Sequence, residues 1–165
     1  MLLRNLVRAA AAVLALVPAA ALAVPQKGQP APAFSLPRLG GGTTVVLEAL
    51  KGSPVYVNFF ASWCGPCNAE APTIGRLRAK YAKQHLQVVG INELDTAARG
   101  ADFVRQNHNP YSLVAFDENG GVGKTYGAVA MPIHVFIDRR GIVTLYWIGE
   151  MTPDQIENAI KGSLK

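Results

Sequence analysis

The two cysteines of the chain stand two residues apart, in Trp63-Cys64-Gly65-Pro66-Cys67, and Asn68-Ala69-Glu70 follows at once. Paired thiols at this spacing exchange disulfides, supply half of a zinc site, or close an inert staple. Structural zinc takes four ligands. The chain has no second cysteine pair, and His85, His108 and His134 are scattered singly, so no metal is expected. A staple across so short a loop constrains little of the unfolded chain. Exchange chemistry is the reading that the spacing favours.

That chemistry needs an ionised sulfur and a place to hold it. Val55-Tyr56-Val57-Asn58-Phe59-Phe60 is an apolar, β-branched and aromatic run and predicts a buried strand. Behind the cysteines Ile74, Leu77 and Tyr81 recur on one helical stripe. Cys64 therefore falls where a strand ends and a helix begins, where unpaired backbone N–H groups favour negative charge. Cys67, a turn further in, gains less. Lowering a thiol pKa from ~8.5 to ~7 raises the thiolate fraction at neutrality from roughly 3% to 50%. The weaker base loses ~0.7 log unit of nucleophilicity, so the net gain is about threefold and the larger benefit is to Cys64 as a leaving group. Pro66 suits the first helical turn, where its missing N–H costs nothing.

The 165 residues, half of them apolar, predict one domain plus an appendage. Arg4 and Arg8 precede an Ala/Leu/Val run over residues 9–24 that ends in Ala21-Leu22-Ala23, the pattern of an export signal over residues 1–23, or of an N-terminal anchor if it is retained. Export places the dithiol where disulfides persist. The net charge of +5 falls to about +3 without Arg4 and Arg8, and the basic residues are dispersed, so nucleic-acid binding is not indicated. Pro25, Pro30 and Pro32 make residues 24–32 a stiff linker without regular structure. A domain over residues 33–165 follows. Phe34-Ser35-Leu36 and Thr44-Val45-Val46-Leu47 flank three glycines as a hairpin, and residues 86–91 form a strand, parallel to the first through a βαβ crossover. A helix holds Phe103 and Val104, a strand spans 113–116, and a brief helix spans 122–126. Ile133–Ile137 and Ile142–Ile148 make an antiparallel pair, in which Trp147 is expected to pack. Thr152 and Pro153 open the last helix.

With these elements in place the chain resembles the thioredoxin superfamily, specifically the exported TlpA/ResA/CcmG group of thiol-disulfide reductases. The likeness covers residues 33–163 and rests on Leu50-Lys51-Gly52, the stretch from Asn58 to Cys67, Glu70-Ala71-Pro72, Asn109-Pro110-Tyr111, Tyr126-Gly127 and Met131-Pro132. It implies an α/β thioredoxin-like fold: a central mixed sheet flanked by helices, with the N-terminal hairpin and a βα insertion over residues 92–112. It implies a protein disulfide reductase, at the periplasm or the outer face of the cytoplasmic membrane. Cys64 would attack, Cys67 would resolve, and the Cys64–Cys67 disulfide would be the oxidised state. Protein disulfides would be the substrates and a membrane thiol-disulfide donor the source of electrons. No cofactor is implied.

By the same resemblance Pro132 is cis, although base rates for X-Pro bonds favour trans, and Met131 would present its backbone to an incoming peptide. Glu70 is either a proton shuttle for the thiols or a solvated helix glutamate. Asn58 stands where thioredoxin itself has a buried aspartate; an amide takes no proton, and it can equally serve buried backbone groups. Trp63 is a wall for substrate or a lid over the helix start. Pro72, inside the helix, removes a hydrogen bond and favours a bend. Ile133 and His134 replace the threonine pair more usual in the family, and the Pro-Glu of its dedicated cytochrome c biogenesis members is absent. Two other functions stay open: a copper metallochaperone holding the metal on Cys64, Cys67 and His134, and a peroxiredoxin-like peroxidase. Against the latter, Ala61 stands where that chemistry uses a hydroxyl.

Overall fold

A computed structural model describes residues 24–165; the segment expected to direct export, residues 1–23, lies outside them. Along the chain run β1 (Ser35–Leu36), β2 (Val45–Val46), β3 (Val55–Phe60), α1 (Gly65–Lys80), β4 (Gln87–Glu93), α2 (Ala97–Gln106), β5 (Leu113–Asp117), α3 (Gly121–Thr125), β6 (Ile133–Ile137), β7 (Val143–Ile148) and α4 (Pro153–Ser163). Five strands form one mixed sheet in the order β5-β4-β3-β6-β7. β3 is its centre, parallel to β4 and antiparallel to β6. This is the thioredoxin-like architecture, with β1 and β2 as a separate antiparallel pair. The pair lies against the sheet's edge, where Phe116 N–H donates to Pro37 O and Leu39 N–H to Val114 O, both at 2.9 Å. Among the described residues no helix is long and apolar enough to cross a membrane.

The apolar run of β3, interrupted only by Asn58, reflects burial on both faces. Alternation sends Tyr56 and Phe60 into a core shared with Ala71, Ile74 and Leu77 of α1 and with Ile156 and Ile160 of α4. Val55, Val57 and Phe59 meet Phe34, Leu36 and Val45 of the hairpin and Tyr126 beyond α3. Aromatic stacking stiffens the first face: the Tyr56 ring lies 4.4 Å from Phe136, and Phe60 sits between Phe103 and Tyr111 at 4.6 and 5.0 Å. α1 runs unbroken through Pro72. α4 begins on the predicted Thr152, which accepts from Gln155 N–H while the Gln155 side chain accepts from Thr152 N–H.

Two expectations need correction. Residues 24–32, expected as a stiff linker ahead of the domain, are fastened to it: Gly28 N–H donates to Val143 O at 2.8 Å, Val143 N–H to Gln29 O, and Ala31 N–H to Gly141 O. The prolines exclude helix, but extended backbone can still pair with the start of an edge strand. Trp147 is 43% exposed rather than packed, its indole N–H donating to Glu150 O.

Gly90, central in β4, keeps the space that the Tyr111 ring fills. A Cβ there would stand 2.6 Å from the ring. Gly90→Ala is therefore expected to cost ~1–3 kcal/mol of stability as an overpacked site and to displace the Tyr111 hydroxyl from Asn58. Urea unfolding, together with the Tyr111 resonances, checks both effects.

Candidate active site

Cys64 occupies the N-cap of α1 in an extended conformation, and its Sγ accepts from Cys67 N–H at 3.2 Å. The sulfur thus satisfies an amide that the helix start leaves unpaired. The two cysteines form a disulfide across a Cα–Cα distance of 5.3 Å. Both are buried, Cys64 at 4% exposure and Cys67 at 2%. Pro66 lies in the first turn, as the sequence predicts.

The approach to the helix is held in part by a residue that the sequence reading passed over. Asp95, in the turn after β4, accepts from Ser62 N–H at 2.7 Å, from Thr96 N–H at 2.8 Å and from Asn92 Nδ2 at 3.2 Å. Burial is the largest single influence on its carboxyl and acts upward. The hydrogen bonds together outweigh it and hold the pKa below the usual range. The next residue, Trp63, is 59% exposed, with its indole N–H on Leu94 O at 2.9 Å. Its ring stands at the surface beside the exposed Leu94. Asn68 fastens the same corner from inside the helix, donating to Ser62 O and Cys64 O.

The Met131–Pro132 bond is cis. Phe59 pairs with Ile133 in the β3–β6 register, so Pro132 lies alongside the last residue of β3, at the same end of the sheet as Cys64. Gly149 N–H anchors Pro132 O at 2.8 Å. Met131 packs against the core cluster that contains both cysteines.

Glu70 is not the solvated helix residue that its surroundings in sequence allow. It is 5% exposed, one turn beyond Cys67, and Oε1 accepts from Met151 N–H at 2.5 Å. Burial pushes its carboxyl up to about 7; the Met151 bond opposes this and the nearby Glu150 charge adds to it. Its Oε2 has no hydrogen-bond partner and lies 3.5 Å from His134 Nε2. His134, fully buried on β6, has Nε2 3.1 Å from Gly149 O and Nδ1 2.7 Å from the Tyr56 hydroxyl. Burial holds its pKa down at about 4, against the Gly149 bond, so the ring is neutral. Asn58 donates to Ile133 O at 3.2 Å and accepts from the Tyr111 hydroxyl at 2.8 Å. With both ring nitrogens engaged, His134 is not aimed as a third ligand beside the cysteines. No group of three metal-capable side chains converges among the described residues. Ala61 is fully buried and supplies no hydroxyl before Cys64.

A second buried carboxyl sits on the other face of the sheet. Glu93 is 3% exposed, and burial, with the Asp117 charge second, pushes it up to about 7. Asp117 itself is satisfied by Gly121 N–H and Gly123 N–H.

The fold and this site belong to the thioredoxin-like oxidoreductases, and residues 27–146 match the family model described as AhpC/TSA family; the chain belongs to that family. It is 33% identical over 134 residues to the thiol-disulfide oxidoreductase ResA of Bacillus thuringiensis subsp. konkukian, covering 81% of this chain and 76% of that protein. It is 35% identical over 122 residues to the thiol:disulfide interchange protein DsbE of Pseudomonas fluorescens biotype C, covering 74% and 66%. A crystal structure described as a thiol:disulfide interchange protein DsbE from Chlorobium tepidum superimposes with a TM-score of 0.77 at 38% identity, over 86% of this chain and 99% of that one. The chain is a thiol-disulfide oxidoreductase by these relationships, and the cysteine pair is its redox-capable element.

The two raised carboxyls make stability depend on pH. Each binds its proton more tightly folded than unfolded, so its contribution is complete below about 4.5 and is lost as pH rises through about 7. At ~1.4 kcal/mol per unit this is on the order of 3 kcal/mol per group. His134, held down at about 4 from an ordinary 6.5 by burial, acts in the opposite sense between those values and offsets part of the slope of the two carboxyls; Asp95 and Asp138, held down by their hydrogen bonds, oppose it only as pH falls below the ordinary carboxylate range. Calorimetry of the oxidised protein should therefore show Tm falling between pH 5 and pH 8. Glu70→Gln and Glu93→Gln should each flatten that slope.

Proposed function

We propose that the protein is an exported reductase of protein disulfides, working through the Cys64–Cys67 pair. The observation that carries this reading is the Cys64 sulfur at the N-cap of α1, already accepting the Cys67 amide hydrogen. In the reduced enzyme the same amide and its neighbours stabilise a Cys64 thiolate. The thiolate attacks one sulfur of a substrate disulfide, forming a mixed disulfide and expelling the other substrate sulfur as a thiolate, which takes a proton from solvent. Cys67 then loses its proton and attacks Cys64 Sγ. The second substrate sulfur leaves, the substrate has gained two electrons, and the enzyme disulfide is restored. Glu70, poised near neutrality one turn from Cys67, is the acceptor proposed for that proton. Trp63 and the cis Met131–Pro132 loop are the proposed substrate-contacting surfaces. No hydrogen bond from the described residues engages the Met131 backbone, leaving it for an extended peptide.

Recharging by a membrane thiol-disulfide donor, and a location at the periplasm or on the outer face of the cytoplasmic membrane, complete the proposal. Arg4, Arg8 and the Ala21-Leu22-Ala23 pattern support export. Amino-terminal sequencing of the exported protein should begin at Val24 if the signal is cut after Ala23.

Insulin-disulfide reduction tests the roles of the two sulfurs. Cys64→Ser should fall to the uncatalysed background, while Cys67→Ser should retain the first attack and accumulate mixed disulfides visible on non-reducing gels. Equal trapping by both variants would contradict the assignment. Stopped-flow mixing of the reduced protein with peroxide should give oxidation far slower than its reaction with a protein disulfide; the reverse order would favour a peroxidase.

A further inference from the structure

His134 has no part in the exchange just described, yet it stands beside Glu70 with no exposure at all. Its tautomer follows from its neighbours. Gly149 O only accepts, so the nitrogen 3.1 Å away, Nε2, carries the hydrogen; Nδ1 is then the acceptor for the Tyr56 hydroxyl at 2.7 Å. The chain of donors continues outward. Asn58 Nδ2 lies 3.4 Å from Nδ1, and the Tyr111 hydroxyl donates to Asn58 Oδ1. The row ends at His134 Nε2, and Glu70 Oε2 lies 3.5 Å from that nitrogen without a partner. Two acceptors, Gly149 O and Glu70 Oε2, thus stand before one N–H. The nearer is the carbonyl in the disulfide form.

We propose that His134 is a positioning residue for Glu70: its Nε2–H moves from the Gly149 carbonyl to Glu70 Oε2 when the carboxyl ionises, and so sets how readily Glu70 gives up and takes back a proton. This rests on the relay reading of Glu70. The imidazole stays neutral throughout; the proton that leaves Glu70 departs from its own carboxyl, and His134 contributes only a hydrogen bond. A protonated Glu70 needs no donor at Oε2, whereas a buried carboxylate left without one is costly. The other groups facing Glu70 do not supply that donor. Cys67 stands one turn earlier on α1, Met151 N–H is committed to Oε1, and Glu150 adds negative charge from the turn before α4. Tyr56 and Tyr111 add no charge of their own: burial, with the Glu70 charge second, holds both hydroxyls well above their ordinary range. α4 turns only Pro153 and Ile156 toward the cleft of about 380 Å³ that Glu70 lines together with Glu150, so it brings no charge of its own there. That cleft opens to solvent between α1 and the start of α4, so the proton has a way out that does not cross the disulfide.

The test is to titrate Glu70 directly in the oxidised protein, by NMR of carboxyl-labelled glutamate, with Glu70→Gln identifying the resonance. His134→Leu should raise the Glu70 midpoint by about one unit or more, and His134→Gln, which restores an N–H donor, should bring it back toward wild type. An unmoved midpoint in His134→Leu overturns the proposal. The pH profile of exchange in the reduced enzyme should shift with the midpoint in the leucine variant. A profile that ignores Glu70→Gln sinks the relay reading instead, and the titration still decides what His134 does. Should His134→Leu fail to fold, histidine labelling of the wild type serves. The ring should be the Nε2–H tautomer from pH 5 to 9, its Nε2–H proton resonance moving with the Glu70 midpoint. An Nδ1–H tautomer, or a resonance indifferent to Glu70, overturns the proposal.

Discussion

A sulfur atom held against the open end of a helix is the constraint on which the rest of this structure depends. Cys67 N–H has no carbonyl within α1 to bond, and Cys64 Sγ takes that place at 3.2 Å. Such an arrangement works only if the residues before the helix cannot drift. The central strand delivers the chain to this point from between two neighbours. Asp95 then clamps Ser62, Leu94 O receives the Trp63 indole, and Asn68 ties back to Ser62 and Cys64. These contacts join two connections, β3–α1 and β4–α2, that leave the same end of two parallel strands.

Beneath the disulfide the interior is polar along one line, an unusual choice for a face otherwise filled with stacked aromatic rings. Tyr111, Asn58, Tyr56, His134 and Glu70 come from the segment before β5, from β3, from β6 and from α1, and each but the last is hydrogen-bonded along the row. A buried network with one unpartnered oxygen is costly unless that oxygen is used. Here the exception falls on a carboxyl that burial raises to about 7, one turn from Cys67.

Much of the fold was legible beforehand, for identifiable reasons. The run from Val55 to Phe60 could only be a strand buried on both faces, and Ile74, Leu77 and Tyr81 mark the inner stripe of α1; all three are buried. Thr152 with Pro153 signalled α4 through its cap. Asp95 carried no such signal, because an aspartate in a polar turn looks like any other until the amide it serves is brought beside it from Ser62. The docking of Gly28–Ala31 was hidden for the same reason: backbone pairing with a distant edge leaves no periodicity in so short a stretch.

The sequence by itself determined the chemistry available. Two thiols at helical spacing, preceded by a strand and followed by a helix with proline in its first turn, suffice to place Cys64 on the terminal amides, because that geometry is local. Tertiary structure alone decided the environment of the charges. Glu70 could be a wet surface residue or a buried acid, and His134 a metal ligand or a silent ring, until α4 and the Gly149 turn closed over them. Desolvation and hydrogen-bond direction depend on what arrives from elsewhere in the chain, and no spacing along α1 or β6 records it.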